Sequence, residues 1–452
     1  MIRSLIKQFN ANFRWGVATA AYQIEGAVNE DGRGPSIWDT FSHSPGRTFN
    51  RDNGDVSCDH YHQFRQDIQL MAQLGIPGYR FSVSWPRIFP TGKGKVNSRG
   101  IDFYDRLVDT LLQANIHPLI TLYHWDLPES LQEKGGWMNR DTAYYVRDYA
   151  QTLGEHLADR ARNWITHNEP WVVSVAGHLQ RCHAPGLKRL DKVRVVAHHL
   201  LLSHGLTVEA FRASGYGQIG ITLNLHPVYS ASDQEQDLEA QRLHDVFQNR
   251  WFLDPVIRGT YPVALDQILP PISDTEVKDG DLAIISQPLD FLGVNYYAPH
   301  KVFYDPAQLD KASLLIREDE PVTAMGWPIN AHALTDLLVG IHQDYGPIPL
   351  LITENGTAYD DVLEAGQVHD TLRQQYLLSH WQAVRDALAL GIPVEGYYLW
   401  SLLDNFEWAL GYSKRFGIIY VDYLTQRRTI KDSGLLYRNL IQEFREYHQK
   451  SF

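Results

Sequence analysis

Cysteine is nearly missing from this chain: Cys58 and Cys182 are the only two among 452 residues. Two such thiols make no disulfide framework, so a reducing, cytoplasmic setting is expected. Long apolar runs are missing too. No stretch of about 18 apolar residues occurs, which argues against a membrane-spanning helix. The opening Met1-Ile2-Arg3-Ser4-Leu5-Ile6-Lys7-Gln8 has neither the apolar core nor the small-residue cleavage site of a secretory leader. Positive charge is short as well: 41 Lys and Arg stand against 53 Asp and Glu, a formal net charge of −12. That balance argues against nucleic acid and anionic membranes as partners. There is no low-complexity tract, no repeat and no dividing linker. Gly92-Lys93-Gly94-Lys95 opens no helix and reads as a surface turn, so no nucleotide-cradling loop is present. His178, Cys182 and His183 have ligand-like spacing, yet no fourth ligand and no His-Glu-x-x-His motif accompany them. Neither a metal nor another cofactor is expected.

What is present is an ordinary globular composition, 44% hydrophobic and 21% charged, ample for a large core. Aromatic residues are abundant: 12 Trp, 24 Tyr and 17 Phe. Most serve the core, but Trp125, Trp171, Trp400 and Trp408 stand beside polar residues at the ends of strand-like runs. Sugar rings present apolar C–H faces that pack on indole, so this placement suits a saccharide cleft.

Short apolar runs followed by helical patterns predict eight strands: 14–19, 78–82, 118–123, 164–166, 219–223, 291–294, 350–353 and 394–399. Amphipathic segments lie between most of them, among them 61–74, 103–114, 143–158 and 371–390, with Gly75 and Gly391 as helix stops. Alternation of this kind implies parallel βαβ units, and eight of them imply an α/β fold, a closed (β/α)8 TIM barrel spanning 1–452 as one domain. Such barrels are typically about 250 residues. The surplus is expected in loops after strands 1, 4, 5 and 6, walling a deep pocket at the C-terminal face, where barrel loops build active sites.

The residues at or just past the strand ends then converge: Gln23, Arg80, His124, Asn168 with Glu169, Asn224, Asn295 with Tyr297, Glu354 and Trp400. Two are glutamates, in Thr166-His167-Asn168-Glu169-Pro170 and Ile352-Thr353-Glu354-Asn355-Gly356. Facing carboxylates are the minimum equipment for cleaving a glycosidic bond. A separation of about 5–5.5 Å goes with retention of configuration and about 6.5–9.5 Å with inversion, and the shorter one is expected here.

Six segments together resemble glycoside hydrolase family 1, the β-glucosidases. They are Phe13 to Gly26, Tyr79 to Trp85, Tyr123 to Pro128, the two glutamate motifs, and Trp400 to Trp408. The resemblance runs in consistent order from about residue 10 to about 445. It implies a retaining exo-β-glucosidase acting on cellobiose-like oligosaccharides and on aryl or alkyl β-glucosides, as in cellulose degradation. β-Galactosidase or β-fucosidase side activity and transglycosylation go with it. By the same resemblance Glu354 is the nucleophile, with Arg80 and Tyr297 as its partners, and Glu169 is the acid/base. Asn168 holds the sugar 2-hydroxyl. Gln23, His124, Glu407 and Trp408 grip the other hydroxyls, and Trp400 is the floor. Asn295 and Phe416 count with the substrate-binding residues, and Trp171, His178 and Trp327 line the aglycone side. The expected partner is a small β-glucoside, and the protein a monomer or homo-oligomer.

Two positions depart from the family pattern. His167 stands where Phe is usual, and Pro328 follows Trp327 where Glu is common. Two alternatives remain. A 6-phospho-β-glucosidase would match Lys414 but would carry Ser at 407 and Tyr at 416, where this chain has Glu407 and Phe416. A non-catalytic sugar-binding relative would have lost a carboxylate, and both are present.

Overall fold

A computed structural model describes residues 2–273 and 275–450. Eight strands carry the architecture: β1 (Arg14–Ala18), β2 (Gly78–Ser82), β3 (His117–Tyr123), β4 (Asn163–Asn168), β5 (Gln218–Asn224), β6 (Phe291–Asn295), β7 (Leu350–Asn355) and β8 (Val394–Trp400). They close into a barrel in chain order, β8 pairing back onto β1, and every neighbouring pair is parallel. This is the TIM barrel.

The strands obey the two-residue alternation of a pleated ladder. Leu119, Ile165, Phe291, Leu351 and Tyr398 form an inner cluster within the barrel. Their chain neighbours Ile120, Trp164, Leu292, Ile352 and Tyr397 belong to the larger core between barrel and helices. Trp15 faces outward in the same way, its ring against Trp381 of helix Thr371–Ala389 and Tyr437 of helix Asp432–Gln449. Gly16, next to it, faces inward. A Cβ there would lie 2.5 Å from the Tyr398 ring, so glycine leaves that ring its place.

Each expected strand is found, and β4 to β8 run further at their C-terminal ends than expected, through Asn168, Asn224, Asn295, Asn355 and Trp400. Helices His60–Gln73, Ser98–Gln113, Asp141–Leu157 and Thr371–Ala389 match the amphipathic segments, three of them starting earlier. Gly75 and Gly391 follow their helices at φ +67° and +82°, the left-handed region open to glycine. Helix Val193–Ser214 was not singled out from sequence, because it is buried nearly all round and has no clean apolar stripe. A three-stranded outer sheet (Val228–Ser230, His300–Tyr304, Ala312–Leu314) and a hairpin (Ile419–Asp422, Arg427–Ile430) were also not anticipated. The surplus residues lie in the expected loops, after β1, β4, β5 and β6. Among the described residues no helix is long and apolar enough to cross a membrane.

Candidate active site

Glu354 occupies the second-last position of β7 and is almost fully buried. Its Oε1 accepts from Arg80 Nη1 at 2.5 Å, and its Oε2 accepts from the Tyr297 hydroxyl at 2.7 Å. Arg80 is itself fixed on β2: Nη1 also reaches the Thr353 carbonyl, Nε the Thr121 hydroxyl and Nη2 the Asn168 Oδ1. Burial raises the Glu354 carboxyl, and the Arg80 charge and the Tyr297 hydroxyl oppose that rise. The Asn355-Gly356 pair does more than turn the chain. The Asn355 amide donates to the Tyr296 carbonyl and its oxygen accepts from Tyr397. A Cβ on Gly356 would sit 1.7 Å from the Trp400 carbonyl oxygen, so only glycine allows β7 and β8 to end this close together.

Glu169 follows β4, its N–H bonded to the Thr222 carbonyl of β5. It sits in the left-handed region at φ +48°, as do Trp125 at +76° and Trp408 at +50°. Non-glycine residues seldom adopt that conformation, and such strain tends to gather at functional sites. The only protein donor found on the Glu169 carboxylate, among the described residues, is Asn295 Nδ2 at 2.6 Å. That amide also donates to Asn168 Oδ1, while its oxygen accepts from Thr353. Burial drives the Glu169 carboxyl up to about 8, and the nearby Glu354 charge adds to the rise. Among the described residues no cation touches Glu169 as Arg80 touches Glu354. Of the two, Glu354 is therefore the one its surroundings ionise first.

Around this pair lies a set of unused polar atoms. His124 Nε2 accepts from the Asn168 amide at 3.0 Å, which leaves a proton on Nδ1, and Nδ1 is buried with no protein partner. Burial holds this imidazole neutral, well below its ordinary value. Gln23 donates to Asn405 Oδ1 and the Phe406 carbonyl, and its own Oε1 is buried and unpaired. Glu407 lies 3.5 Å from the Gln23 amide, its carboxyl raised by burial to about 8. Buried groups of this kind are costly unless something fills their valences. The His124 ring lies nearly parallel to both Trp400 and Trp408. The loop carrying Glu407, Trp408 and Phe416 is pinned by Asp404, which bonds Arg415, Lys431 and the Gly417 N–H.

A cavity of about 300 Å³ is lined by Glu169, Glu354, His124, Glu407, Trp400 and Trp408, whereas Gln23 is not on its lining. Tyr297, Trp327, Pro328, Phe416 and Val172 also line it. Two expected lining residues are elsewhere. Trp171 turns its ring to Phe247 and donates to the Phe247 carbonyl, so its neighbour Val172 meets the cavity instead. His178 is fully buried, bonded to the Val173 carbonyl. His167, the departure from the family pattern, points away from the barrel interior to Ser203 of helix Val193–Ser214. Lys414 donates to the Ala324 carbonyl. Sequence reasoning missed His183, His226, His300 and the run Leu314 to Ile316, all lining the cavity. They lie on the long excursions after β4, β5 and β6, where no strand end pointed to them. Among the described residues no three His, Cys, Asp or Glu side chains are grouped to hold a metal ion.

The profile of the glycosyl hydrolase family 1 matches residues 5–446. The chain is 50% identical over 439 residues to a 1,4-β-D-glucan glucohydrolase of Thermotoga neapolitana, covering 96% of this chain and 98% of that one. It is 45% identical over 455 residues to a bifunctional β-D-glucosidase/β-D-fucosidase of Bifidobacterium breve, covering 96% and 98%. A solved structure of a β-glucosidase from Thermotoga maritima in complex with glucoimidazole is similar at a TM-score of 0.93 and 47% identity, covering 96% of this chain and 99% of that one.

Proposed function

The chain belongs to glycosyl hydrolase family 1, and from that premise we propose that it is a retaining exo-β-glucosidase with Glu354 as nucleophile and Glu169 as acid/base. The observation that carries the assignment is the unequal pair. Glu354 bonds a cation and a phenol, whereas Glu169 has one amide and a carboxyl raised to about 8. A carboxylate nucleophile needs the first environment and a proton donor the second.

In the first step a Glu354 oxygen bonds to the anomeric carbon as the glycosidic C–O bond breaks. The Glu169 proton passes to the leaving oxygen, so the aglycone departs neutral. With Glu354 esterified, its charge no longer raises Glu169, which is left as the base. In the second step Glu169 takes a proton from water, the water oxygen bonds to the anomeric carbon and the Glu354 carboxylate is released. Two inversions give net retention. An acceptor hydroxyl in place of water gives transglycosylation. Tyr297 and Arg80 hold Glu354, and Asn295 aligns Glu169 with Asn168, whose place beside Arg80 suits the 2-hydroxyl. The unpaired His124 Nδ1–H offers the sugar a donor and Gln23 Oε1 an acceptor, and the Glu407 carboxyl, raised to about 8, can both donate and accept. Trp400 supplies the floor and Trp408 a flank, with Trp327 and Phe416 further out.

A terminal β-glucosyl residue is the sugar we infer, with β-fucosyl and β-galactosyl groups as secondary substrates. We read 1–452 as one catalytic domain working in the cytoplasm on small glycosides, as monomer or homo-oligomer. The −12 charge and the two unpaired cysteines support that setting. Glu354→Ala tests the assignment. It is expected to abolish turnover, and azide is expected to restore part of it with an α-glucosyl azide as product. Undiminished hydrolysis in that variant would contradict it.

A further inference from the structure

The cavity lining carries two imidazoles, backed by a third, that the chemistry above does not use. His226 follows β5, His300 opens the outer strand His300–Tyr304, and both line the cavity. Their rings are stacked, 3.9 Å between centroids and 11° between planes. Behind His300 stands His244, on helix Glu235–Asp245, with its Nε2 2.8 Å from His300 Nδ1. The His244 Nδ1 lies in turn 2.7 Å from a carboxylate oxygen of buried Asp310.

The partners fix where the protons sit. An ionised carboxylate only accepts, so His244 Nδ1 carries a proton and donates it to Asp310. In a neutral His244 the Nε2 is then a bare acceptor, and the proton between the two rings belongs to His300 Nδ1. A neutral His300 is left with a bare Nε2. His226 reaches the same state separately: its Nδ1 lies 2.8 Å from the Ala298 carbonyl, which can only accept, so its Nε2 is bare too. Neither Nε2 has a protein partner among the described residues, and neither is sealed in the interior. Burial keeps both rings neutral, His226 at about 4 and His300 well below the ordinary value. The frame around them is apolar, with Leu314, Leu315 and Ile316 beside them and Trp327 and Met325 also lining the cavity.

We propose that His226 and His300 form an acceptor-only wall on the leaving-group side of the cavity, selecting neutral aglycones that present a hydroxyl donor to it. Hydroxylated aryl and sugar aglycones satisfy both the bare nitrogens and the apolar frame. An aglycone capped at that hydroxyl leaves the nitrogens unpaired, and an anionic one meets two lone pairs. His244 and Asp310 act as positioning residues that set the tautomer of His300. This rests on the β-glucosidase reading of the site.

The test compares kcat/KM of the full-length enzyme at pH 8 for 4-hydroxyphenyl and 4-methoxyphenyl β-glucosides, two leaving groups of closely similar electronic demand. One hydrogen bond predicts a preference for the hydroxyl of roughly three- to tenfold. His300→Phe is expected to bring that ratio close to one, and His244→Phe to lower it as His300 loses its fixed tautomer. Nitrogen-15 NMR of histidine-labelled wild-type protein supplies an independent reading: a protonated Nδ1 and a bare Nε2 on His300. A ratio near one in the wild type, a ratio unmoved by His300→Phe, or a protonated His300 Nε2 would overturn the wall while leaving the glucosidase reading intact. So would a 4-carboxyphenyl glucoside outperforming the hydroxyl compound, which would pass the selection to the neighbouring Lys301, also on the cavity lining. Failure to turn over any of these glucosides would overturn both readings.

Discussion

Two buried glutamates differ only in what touches them, and that difference sets the pH behaviour expected of the enzyme. Glu354 has Arg80 and Tyr297 on its two oxygens, and Glu169 has Asn295 alone. Activity requires Glu354 ionised and Glu169 protonated. The kcat/KM profile is therefore expected to fall on the acid side as Glu354 takes a proton, and on the alkaline side near the value of about 8 for Glu169. Tyr297→Phe removes a donor to Glu354, which moves the acid limb upward. Replacing Glu169 with Ala should slow substrates with poor leaving groups by about 10²–10⁴ while largely sparing the first step on activated aryl glucosides. Equal losses on both classes would show that Glu169 is not the acid. The same shift carries a stability cost. Glu169 holds its proton more tightly in the folded chain, so its contribution is fully present below the ordinary value of 4.5 and is lost as pH rises through about 8. Glu169→Gln is accordingly expected to raise Tm at pH 8 by more than at pH 4, which differential scanning calorimetry reads directly. At this scale both glutamates were legible in the sequence because each ends an apolar run. The turn of Trp171 onto Phe247 was not, because a packing partner 76 positions away leaves no local mark. The Asp310–His244–His300 chain was hidden for the same reason.

At the scale of elements, the barrel strands were found but read short. Asn168, Asn224, Asn295 and Asn355 look like strand terminators, since asparagine favours turns. Asn168, Asn295 and Asn355 stay in the ladder because their amides bond across the barrel top: Asn168 to Arg80, Asn295 to Glu169 and Asn355 to Tyr397. Arg80, Asn168, Asn295, Glu354 and Trp400 thus stand on the strands themselves, and Glu169, His124 and Tyr297 within two residues of a strand end, which holds these side chains more firmly than long loops would. The loop after β8 is the exception, and buried charge anchors it. Lys431 bridges Asp361 and Asp404 without access to solvent, and Arg373 joins Asp361 to Asp370. Removing one partner strands the others, so Lys431→Met is expected to lower stability by about 3–5 kcal/mol. Chemical denaturation measures that loss. The freed loop carries Glu407 and Trp408, so KM for glucosides should rise more than kcat falls. A variant as stable as the parent would mean that the ion cluster contributes little to holding the loop.

For the whole molecule, alternation of apolar runs and amphipathic segments was enough to read an eight-fold parallel barrel, because each βα unit repeats the same local pattern. The outer sheet at 228–314 escaped notice because its strands are short and partly exposed, and they pack on a small satellite cluster with Ala240 rather than in the main core. That is the part of the fold to which we assign aglycone choice. Despite the −12 net charge, a neutral glucoside is not steered by the protein's field. Its kcat/KM should change little between low and high salt, and a steep dependence would point to a charged substrate. All of this depends on double displacement through Glu354. The most direct measurement is proton NMR of aryl β-glucoside hydrolysis, following which glucose anomer forms before mutarotation. Membership of glycosyl hydrolase family 1, with Arg80 and Tyr297 holding Glu354 as a nucleophile, predicts β-glucose first. α-Glucose first would mean inversion, and Glu354 would not be the nucleophile.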